Sequence, residues 1–237
     1  MSSTGSIIII PARGGSTRIP RKNLRQLSGK PLITYTIEAA LSSNITKNII
    51  VSTEDEKIAS VSRQAGAQVP FMRPDHLSTD KSQIKDVIEH CISYYKNEGC
   101  DYENVIVLPP TCPLRTGEDI SKAYMKYRES DADGLITISK YNHRPVLCFV
   151  KNKTDRIVSY WAHEYGINAS KLFNRTQDYP DFYADSSCMW ILNICEFMKQ
   201  KTLRLRDSTY YEMSSLNSVD IDDHEDIELV ETLLANK

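Results

Sequence analysis

The sequence predicts a doubly wound α/β fold with a mostly parallel sheet, formed by a single domain over residues 1–237. Two observations support this fold class. Short runs of apolar, β-branched residues recur along the chain, and such runs are typical of strands buried on both faces of a parallel sheet. Segments with the apolar spacing of helices separate these runs, and this alternation favours right-handed β–α–β crossovers.

The individual elements follow from these patterns. Four apolar runs predict strands, at residues 7–10, 49–51, 105–108 and 135–139. Apolar residues at helical spacing predict helices at residues 31–41, 54–66, 84–95 and 225–234. Residues 141–182 are more polar and aromatic, so we interpret them as a lobe inserted into the main sheet. Within this lobe, residues 146–151 and 157–161 predict a hairpin or edge sheet.

Bulk composition excludes several classes of protein. The net charge is -2, so the whole molecule has no general attraction for nucleic acid or anionic membrane. No apolar run approaches the roughly 18 residues that a membrane span requires. No secretory leader is recognisable, and the cysteines lack the spacing of zinc ligands. We therefore expect a cytoplasmic protein with neither a nucleic-acid nor a membrane partner.

Residues 11–23, with the sequence PARGGSTRIPRKN, form the most informative loop. They follow the first predicted strand, where open α/β sheets bind their ligands. Gly14 and Gly15 allow the backbone to approach a ligand closely. Six basic side chains occur from Arg13 to Lys30, and no Asp or Glu precedes Glu38. Glycine amides with guanidinium groups suit a polyphosphate.

Other interpretations of this loop fit less well. A merely solvated basic loop has no need of a Gly-Gly pair after a buried strand. A nucleic-acid arm would carry interleaved aromatic residues, which are absent. The order of residues also differs from the Walker A phosphate loop.

Five segments, in the same order along the chain, resemble those of the acylneuraminate cytidylyltransferase family, which includes the CMP-sialic acid synthetases. The segments are PARGGSTRIPRKN with GKPLI, RPDHLSTD, LPPTCPLR, RTQDYP and VDIDDHEDI. This resemblance implies a nucleotide-diphospho-sugar transferase-like fold with a small inserted dimerisation lobe at residues 141–182, and a homodimer. It also implies transfer of CMP from CTP to the anomeric hydroxyl of an acidic nine-carbon sugar, with release of pyrophosphate.

The resemblance further assigns roles to individual residues. Nucleotide contacts are implied for Arg13, Gly14, Ser16, Arg18, Lys22, Asn23 and Asp80. Acceptor contacts are implied for Arg115, Arg175 and Gln177. Arg13, Lys22 and Asp222 are the implied catalytic residues. Two alternatives stay open: Asp80 also suits the N-cap of a helix starting near Ser82, and Arg115 also suits a structural role.

Asp220 and Asp222 are the implied ligands of Mg²⁺. They flank Ile221 in a strand-like segment, and alternation directs both carboxylates to the same side. Carboxylate oxygens are hard ligands of the kind that Mg²⁺ prefers, alongside substrate phosphates. The alternative is a solvated acidic patch in which Asp223 caps the following helix.

The chain departs from the family pattern at several positions. Thr17 stands where the family usually has Lys, and the adjacent Arg18 is a candidate substitute. Pro109 and Cys112 stand where the family has Gln and Ser. Ser186 and Ser187 occupy the positions of an Asn-Gly pair. These differences indicate an altered acceptor pocket.

The acceptor therefore stays open at this point. The same loop would serve ketodeoxyoctonate, legionaminate, pseudaminate or a GTP-dependent relative. A non-catalytic nucleotide-binding homologue is the rival from another class. Thr17 is the feature that favours it, whereas the intact Asp220 and Asp222 pair disfavours it.

Overall fold

The computed structural model describes residues 5–141, 145–166 and 180–236. Contacts within the chain divide it into two compact units, Met1–Ile138 with Asp185–Lys237, and Ser139–Ala184. The lobe predicted at residues 141–182 falls within the smaller unit. None of the helices in these described ranges is long and apolar enough to cross a membrane.

The strands form one large sheet and two small ones. In chain order they are β1 (Ser6–Pro11), β2 (Gln26–Leu27), β3 (Lys30–Pro31), β4 (Ile49–Ser52), β5 (Asn104–Val107), β6 (Gly134–Lys140), β7 (Phe149–Lys151), β8 (Ile157–Ser159), β9 (Tyr183–Asn193) and β10 (Ser208–Met213). The large sheet has the order β10-β6-β9-β5-β1-β4. Strand β1 pairs in parallel with both β4 and β5, whereas β9 pairs antiparallel with β5. All four predicted strands belong to this sheet, which confirms the α/β class.

The helices are α1 (Leu32–Ser42), α2 (Glu56–Gln64), α3 (Ile84–Asn97), α4 (Gly117–Glu129), α5 (Tyr160–Tyr165), α6 (Ile194–Gln200) and α7 (His224–Ala235). The helices predicted near α1, α2, α3 and α7 are confirmed. Sequence analysis did not identify α4, although Thr116 and Asp119 form a capping box at its start. A Thr followed three residues later by an acidic side chain is a sequence pattern typical of a helix N-terminus.

Strand β1 shows why the sheet is buried on both faces. Its alternate residues contact different clusters: Ile8 and Ile10 pack in one, and Ile7 and Ile9 in the other. Successive side chains of a strand point to opposite faces, so both faces of β1 are covered by packed residues. This burial fixes the carboxyl end of β1, from which the basic loop begins.

The smaller unit contains the predicted hairpin in a shortened form. Strands β7 and β8 pair antiparallel, with Phe149 opposite Ser159. The prediction of strand at residues 146–151 and 157–161 was too long at one end of each run. A 3-10 helix covers Pro145–Leu147, and α5 begins at Tyr160, directly after β8.

Candidate active site at the carboxyl edge of the sheet

A cleft of about 310 Å³ lies beyond the carboxyl ends of β1 and β5. Three segments that are distant in sequence line it. Five of the predicted nucleotide contacts belong to its wall: Arg13, Ser16, Lys22, Asn23 and Asp80. Other lining residues include Arg73, Pro109 and Thr111. The parallel pairing of β1 with β5 brings these segments together, because both strands end at the same edge.

The basic loop is held in shape by its own residues. Ile19 is buried in a cluster with Leu27 and Ile221, so the middle of the loop is anchored in the core. Asn23 is also buried, and its amide Nδ2 donates a hydrogen bond of 2.8 Å to the carbonyl oxygen of Arg13. This bond joins the two ends of the loop across the wall of the cleft.

Lys22 connects the basic loop to the acidic segment near the C-terminus. Its Nζ donates to the carbonyl oxygen of Ile221 at 2.7 Å and lies 3.7 Å from a carboxylate oxygen of Asp222. The Lys22 side chain is only 13% exposed. In turn, the Ile221 N–H donates to the carbonyl oxygen of Thr111 at 2.8 Å. The predicted phosphate and metal residues therefore share one hydrogen-bonded network.

Carboxylates from elsewhere in the fold accompany the acid-free basic loop. Besides the contact of Lys22 with Asp222, three arginines of the loop form ion pairs, Arg13 with Asp80 at 2.7 Å, Arg18 with Asp222 at 3.0 Å, and Arg21 with Asp55 at 2.8 Å. The surplus of positive charge seen along the sequence is thus partly balanced in space. A polyphosphate that entered the cleft would compete with Asp80 for the guanidinium of Arg13.

Glu54 positions the start of the basic loop. The Gly14 N–H donates to Glu54 Oε1 at 2.6 Å, and Arg73 Nη2 lies 2.9 Å from Glu54 Oε2. The Gly14 N–H is thus engaged by Glu54, and Gly14 is not among the residues that line the cleft, while its nucleotide contact stays a prediction. A Cβ at Gly14 would lie 2.7 Å from Asp55 Oδ2, so glycine is required here for packing.

The carboxylate of Glu54 is stabilised in its charged form. Burial alone would raise the pKa of Glu54, but the hydrogen bonds from Gly14 and Arg73 outweigh it and lower the pKa. Arg73 is itself nearly fully buried, with a side-chain exposure of 4%. Sequence analysis did not single out Glu54. Its place just beyond the carboxyl end of β4, beside β1, was the available signal.

Asp80 belongs to the cleft rather than to a helix cap. Helix α3 begins at Ile84, its N-cap residue is Gln83, and no side chain caps it by a hydrogen bond. The alternative in which Asp80 caps a helix near Ser82 is therefore wrong. Asp80 instead pairs with Arg13, and its side chain is 63% exposed.

Asp220 and Asp222 lie next to the cleft in an irregular segment, not in a strand as expected. Asp220 is half-buried and Asp222 is exposed. Burial raises the pKa of Asp220 and the nearby Asp222 adds to this rise, while a hydrogen bond from Thr111 opposes it. Asp223 caps α7 in a capping box with Asp226, as one alternative expected. No cluster of three or more His, Cys, Asp or Glu side chains with metal-site geometry occurs in the described ranges.

Arg115 is enclosed by the protein. Its side chain is buried and donates to the carbonyl oxygens of Pro109 and Cys188, and to Thr36 Oγ1 at 3.0 Å. Arg115 is not among the residues that line the cleft. Of its two proposed roles, these contacts correspond to the structural one, in which Arg115 ties the loop after β5 to β9 and α1.

Several positions at which the chain departs from the family pattern are buried or strained. Cys112 and Cys188 are buried side by side, and their hydrogen bond, together with burial, raises the pKa of Cys112. Ser187 has a φ of 53°, in the left-handed region that normally favours glycine. Its N–H donates to Asp185 Oδ1 at 2.8 Å, which supports this turn. The predicted acceptor contacts Arg175 and Gln177 lie outside the described residues.

Comparison with known families gives an independent assignment. The family model described as "Cytidylyltransferase" matches residues 7–237, nearly the whole chain. The chain belongs to the cytidylyltransferase family. This confirms the resemblance drawn from the five sequence segments.

Curated relatives of this cytidylyltransferase carry three different acceptor names. A pseudaminic acid cytidylyltransferase of Campylobacter jejuni is 32% identical over 186 residues, covering 78% of this chain and 80% of that protein. A CMP-N,N'-diacetyllegionaminic acid synthase of Legionella pneumophila is 37% identical over 142 residues, covering 60% and 61%. An N-acylneuraminate cytidylyltransferase of Escherichia coli is 32% identical, covering 99% of this chain and 53% of that protein.

Solved structures support the same fold. A CMP:2-keto-3-deoxy-manno-octonic acid synthetase complexed with CTP superposes with a TM-score of 0.70 at 16% sequence identity. The superposition covers 98% of this chain and 99% of that one. A 4-diphosphocytidyl-2C-methyl-D-erythritol synthase from Anaerococcus prevotii gives a TM-score of 0.60. At these identities the likeness establishes the fold alone.

Proposed function

We propose that this cytidylyltransferase transfers CMP from CTP to the anomeric hydroxyl of a nonulosonic acid and releases pyrophosphate. One observation carries the proposal: the Asp220–Asp222 segment is bonded to the basic loop through Lys22 and to the loop after β5 through Thr111, at a single cleft. Pseudaminic, legionaminic and N-acylneuraminic acids are named for its relatives, and all are nonulosonic acids.

In this proposal the basic loop binds the triphosphate of CTP. Arg13 exchanges its contact with Asp80 for a phosphate oxygen, and Lys22 supplies a second, already positioned charge. Both groups neutralise the pyrophosphate as it leaves, and such positioned charges account for much of the catalysis of phosphoryl transfer. Ser16 and Asn23 complete the wall on the nucleotide side.

Asp220 and Asp222 are the proposed Mg²⁺ ligands. Their donor atoms are carboxylate oxygens, which fit this ion, and the half-buried Asp220 has no ion pair with a cation in the described ranges. Bound there, Mg²⁺ would neutralise phosphate charge in the transition state. In the structure, Asp222 lies 3.0 Å from Arg18 and 3.7 Å from Lys22. The homodimer implied for the lobe at residues 141–182 is also part of the proposal.

Pyrophosphate release is the direct test. The wild-type protein is incubated with CTP, Mg²⁺ and a panel of N-acetylneuraminate, pseudaminate, legionaminate and ketodeoxyoctonate. We expect release with at least one nonulosonic acid. Release only with ketodeoxyoctonate, or with no member of the panel, contradicts the proposal, as does release that occurs only when GTP replaces CTP in a parallel incubation.

Variants of the acidic segment test the metal ligands. Asp220→Asn and Asp222→Asn keep the side-chain shape but remove a charged ligand, so we expect turnover to fall by about two orders of magnitude or more. Asp223→Asn is the matched control, because asparagine also caps helices and α7 should stay intact. Normal turnover of both variants across a range of Mg²⁺ concentrations would exclude this assignment.

A further inference from the structure

The turn at residues 214–218 connects β10 to the proposed Mg²⁺ ligands and ends two residues before Asp220. Its first three residues are exposed, so packing against the core contributes little to holding them. Two bonds within the turn shape it. The Asn217 N–H donates to Ser214 Oγ at 3.1 Å, and the Ser218 N–H donates to the Ser214 carbonyl oxygen at 3.1 Å. These bonds define the form of the turn but do not attach it to the rest of the fold.

Asp119, in the first turn of α4, attaches this turn to the fold. Its Oδ2 accepts a hydrogen bond of 3.0 Å from Asn217 Nδ2. Its Oδ1 accepts a bond of 3.4 Å from the hydroxyl of Tyr211, which belongs to β10. Asp119 therefore contacts the chain just before the turn and again within it, although these partners lie 92 and 98 residues away in sequence. The path from β10 to Asp220 is thus tied to α4 at two points.

The capping box of α4 does not account for these two contacts. The Thr116 N–H and hydroxyl donate to Asp119 Oδ2 at 3.0 Å and 2.7 Å, and the Asp119 N–H donates back to Thr116 Oγ1 at 3.1 Å. These three bonds complete the box. The bonds from Asn217 and Tyr211 are additional, and an ionised carboxylate has enough acceptor sites to take all of them. Asp119 therefore does more than start the helix.

The chain beyond Asp220 is held from other directions. The two backbone groups of Ile221 bond to the loop after β5 and to the basic loop. The Asp222 N–H donates to Asp226 Oδ2 at 2.7 Å, which ties it to the start of α7. The bond from Asn217 to α4 supplies the corresponding restraint on the preceding side. Asp220 is therefore restrained by hydrogen bonds on both sides along the chain.

We propose that Asp119 is a positioning residue for the Mg²⁺ site, an inference that rests on the proposed function. Through Asn217 it fixes the chain that carries Asp220, so that this carboxylate and Asp222 keep their relative places. Mg²⁺ requires a near-octahedral arrangement of oxygens, and ligands that are already in place bind a metal more tightly than ligands on a loose segment. Loss of a group that orients metal ligands typically weakens metal binding by about 10–100-fold.

Asn217→Ala is the decisive variant, because it removes the bond to Asp119 and leaves the capping box of α4 complete. Ser215→Ala, at an exposed position of the same turn, is the matched control. Asn217→Gln keeps an amide donor on a longer side chain and should recover part of the loss. We expect each of these variants to unfold within about 4 °C of wild type, since no core residue changes.

Metal affinity is measured with Mn²⁺, which suits the same oxygen ligands, by following the free ion with electron paramagnetic resonance. The titration is made without nucleotide or acceptor, and the Mg²⁺ concentration for half-maximal pyrophosphate release is measured separately. Asn217→Ala should raise both the Mn²⁺ Kd and this Mg²⁺ concentration about tenfold, with little change in the CTP KM at saturating Mg²⁺. Asp119→Ala should raise the Mn²⁺ Kd similarly and also lower the Tm, because it removes the capping box. Combining Asp119→Ala with Asn217→Ala should add little to the Kd, since both break the same bond.

Asp220→Asn separates a failure of this inference from a failure of the proposed function. If Asp220→Asn loses Mn²⁺ binding while Asn217→Ala binds Mn²⁺ as tightly as wild type does, the positioning role of Asp119 is overturned and the metal assignment stands. A lower Tm of Asn217→Ala with an unchanged Mn²⁺ Kd likewise shows a structural contact alone. If wild type and Asp220→Asn bind Mn²⁺ equally, the metal assignment itself is overturned, and the positioning role with it.

Discussion

Glu54→Gln is the substitution that most directly tests how the basic loop is held. The wild-type carboxylate accepts from the Gly14 N–H with one oxygen and pairs with Arg73 through the other. Glutamine has almost the same shape, but it carries no charge and one of its two polar atoms is a donor. It therefore keeps at most one of these contacts, and the buried guanidinium of Arg73 loses its counter-charge.

The magnitude follows from burial. The side chains of Glu54 and Arg73 are 19% and 4% exposed, so solvent screens this pair only weakly. Removing one partner of a buried ion pair costs about 3 kcal/mol of stability. For a chain of this size, each kcal/mol corresponds to about 2–4 °C, so the expected fall in Tm is roughly 6–12 °C. The CTP KM should also rise, because Gly14 directly follows Arg13 in the basic loop and helps to fix its position.

Differential scanning calorimetry measures the fall in Tm, and a pyrophosphate-release assay measures the rise in the CTP KM. Glu56→Gln is the matched control, since Glu56 lies two residues away and is exposed in the first turn of α2. We expect the control to stay within about 0.5 kcal/mol of wild type. If Glu54→Gln has the same Tm as Glu56→Gln and keeps the wild-type CTP KM, the positioning role of Glu54 is refuted.

The pH dependence of folding stability provides an independent check of the ion pair between Glu54 and Arg73. The folded-state pKa of Glu54 is below its ordinary value of 4.5. A lowered pKa means that the stabilisation is fully present above about 4.5 and is lost as pH falls through the folded-state pKa. The difference in stability between wild type and Glu54→Gln should therefore shrink below about pH 4.5. A difference that is constant from pH 7 to pH 3 would contradict this linkage.

Three further substitutions test other parts of the site. Arg115→Met should cost about 3 kcal/mol in chemical denaturation, because it leaves the buried carbonyl of Cys188 unpaired. Arg18→Ala should change stability by less than about 1 kcal/mol, since its pair with Asp222 is exposed. The same variant should raise the CTP KM if Arg18 supplies the missing loop charge. Pro109→Gln should shift kcat/KM toward N-acetylneuraminate, and an unchanged acceptor ranking would exclude Pro109 as a specificity residue.

The five sequence segments were sufficient to assign the family and the α/β class. Local pattern also located the four core strands and most of the helices, because apolar periodicity reflects burial on one or two faces. Four predicted nucleotide contacts in the basic loop, Arg13, Ser16, Lys22 and Asn23, do line the cleft. A loop directly after a buried strand lies at the carboxyl edge of the sheet, so the sequence predicts where these residues are, and their contact with a nucleotide stays a prediction.

The sequence did not predict which residues from remote segments contact each other in the folded protein. The ion pair of Arg13 joins it to Asp80, which is 67 residues away, and Lys22 reaches Ile221 across 199 residues. Such pairings depend on how the strands of the large sheet are ordered and on where the segments between them pack. Long-range packing also buries Arg115 and brings Glu54 to the amide of Gly14, and neither contact could be predicted from local sequence.

The sequence by itself thus determined the family, the sheet-forming runs and the place of the basic loop, because these depend on local order and periodicity. Only the tertiary structure decided which carboxylate pairs with each cation, which group accepts from the Gly14 N–H, and that Arg115 is buried. The physical reason is that burial and pairing depend on distances between remote segments. Those distances are fixed only when the strands assemble into one sheet.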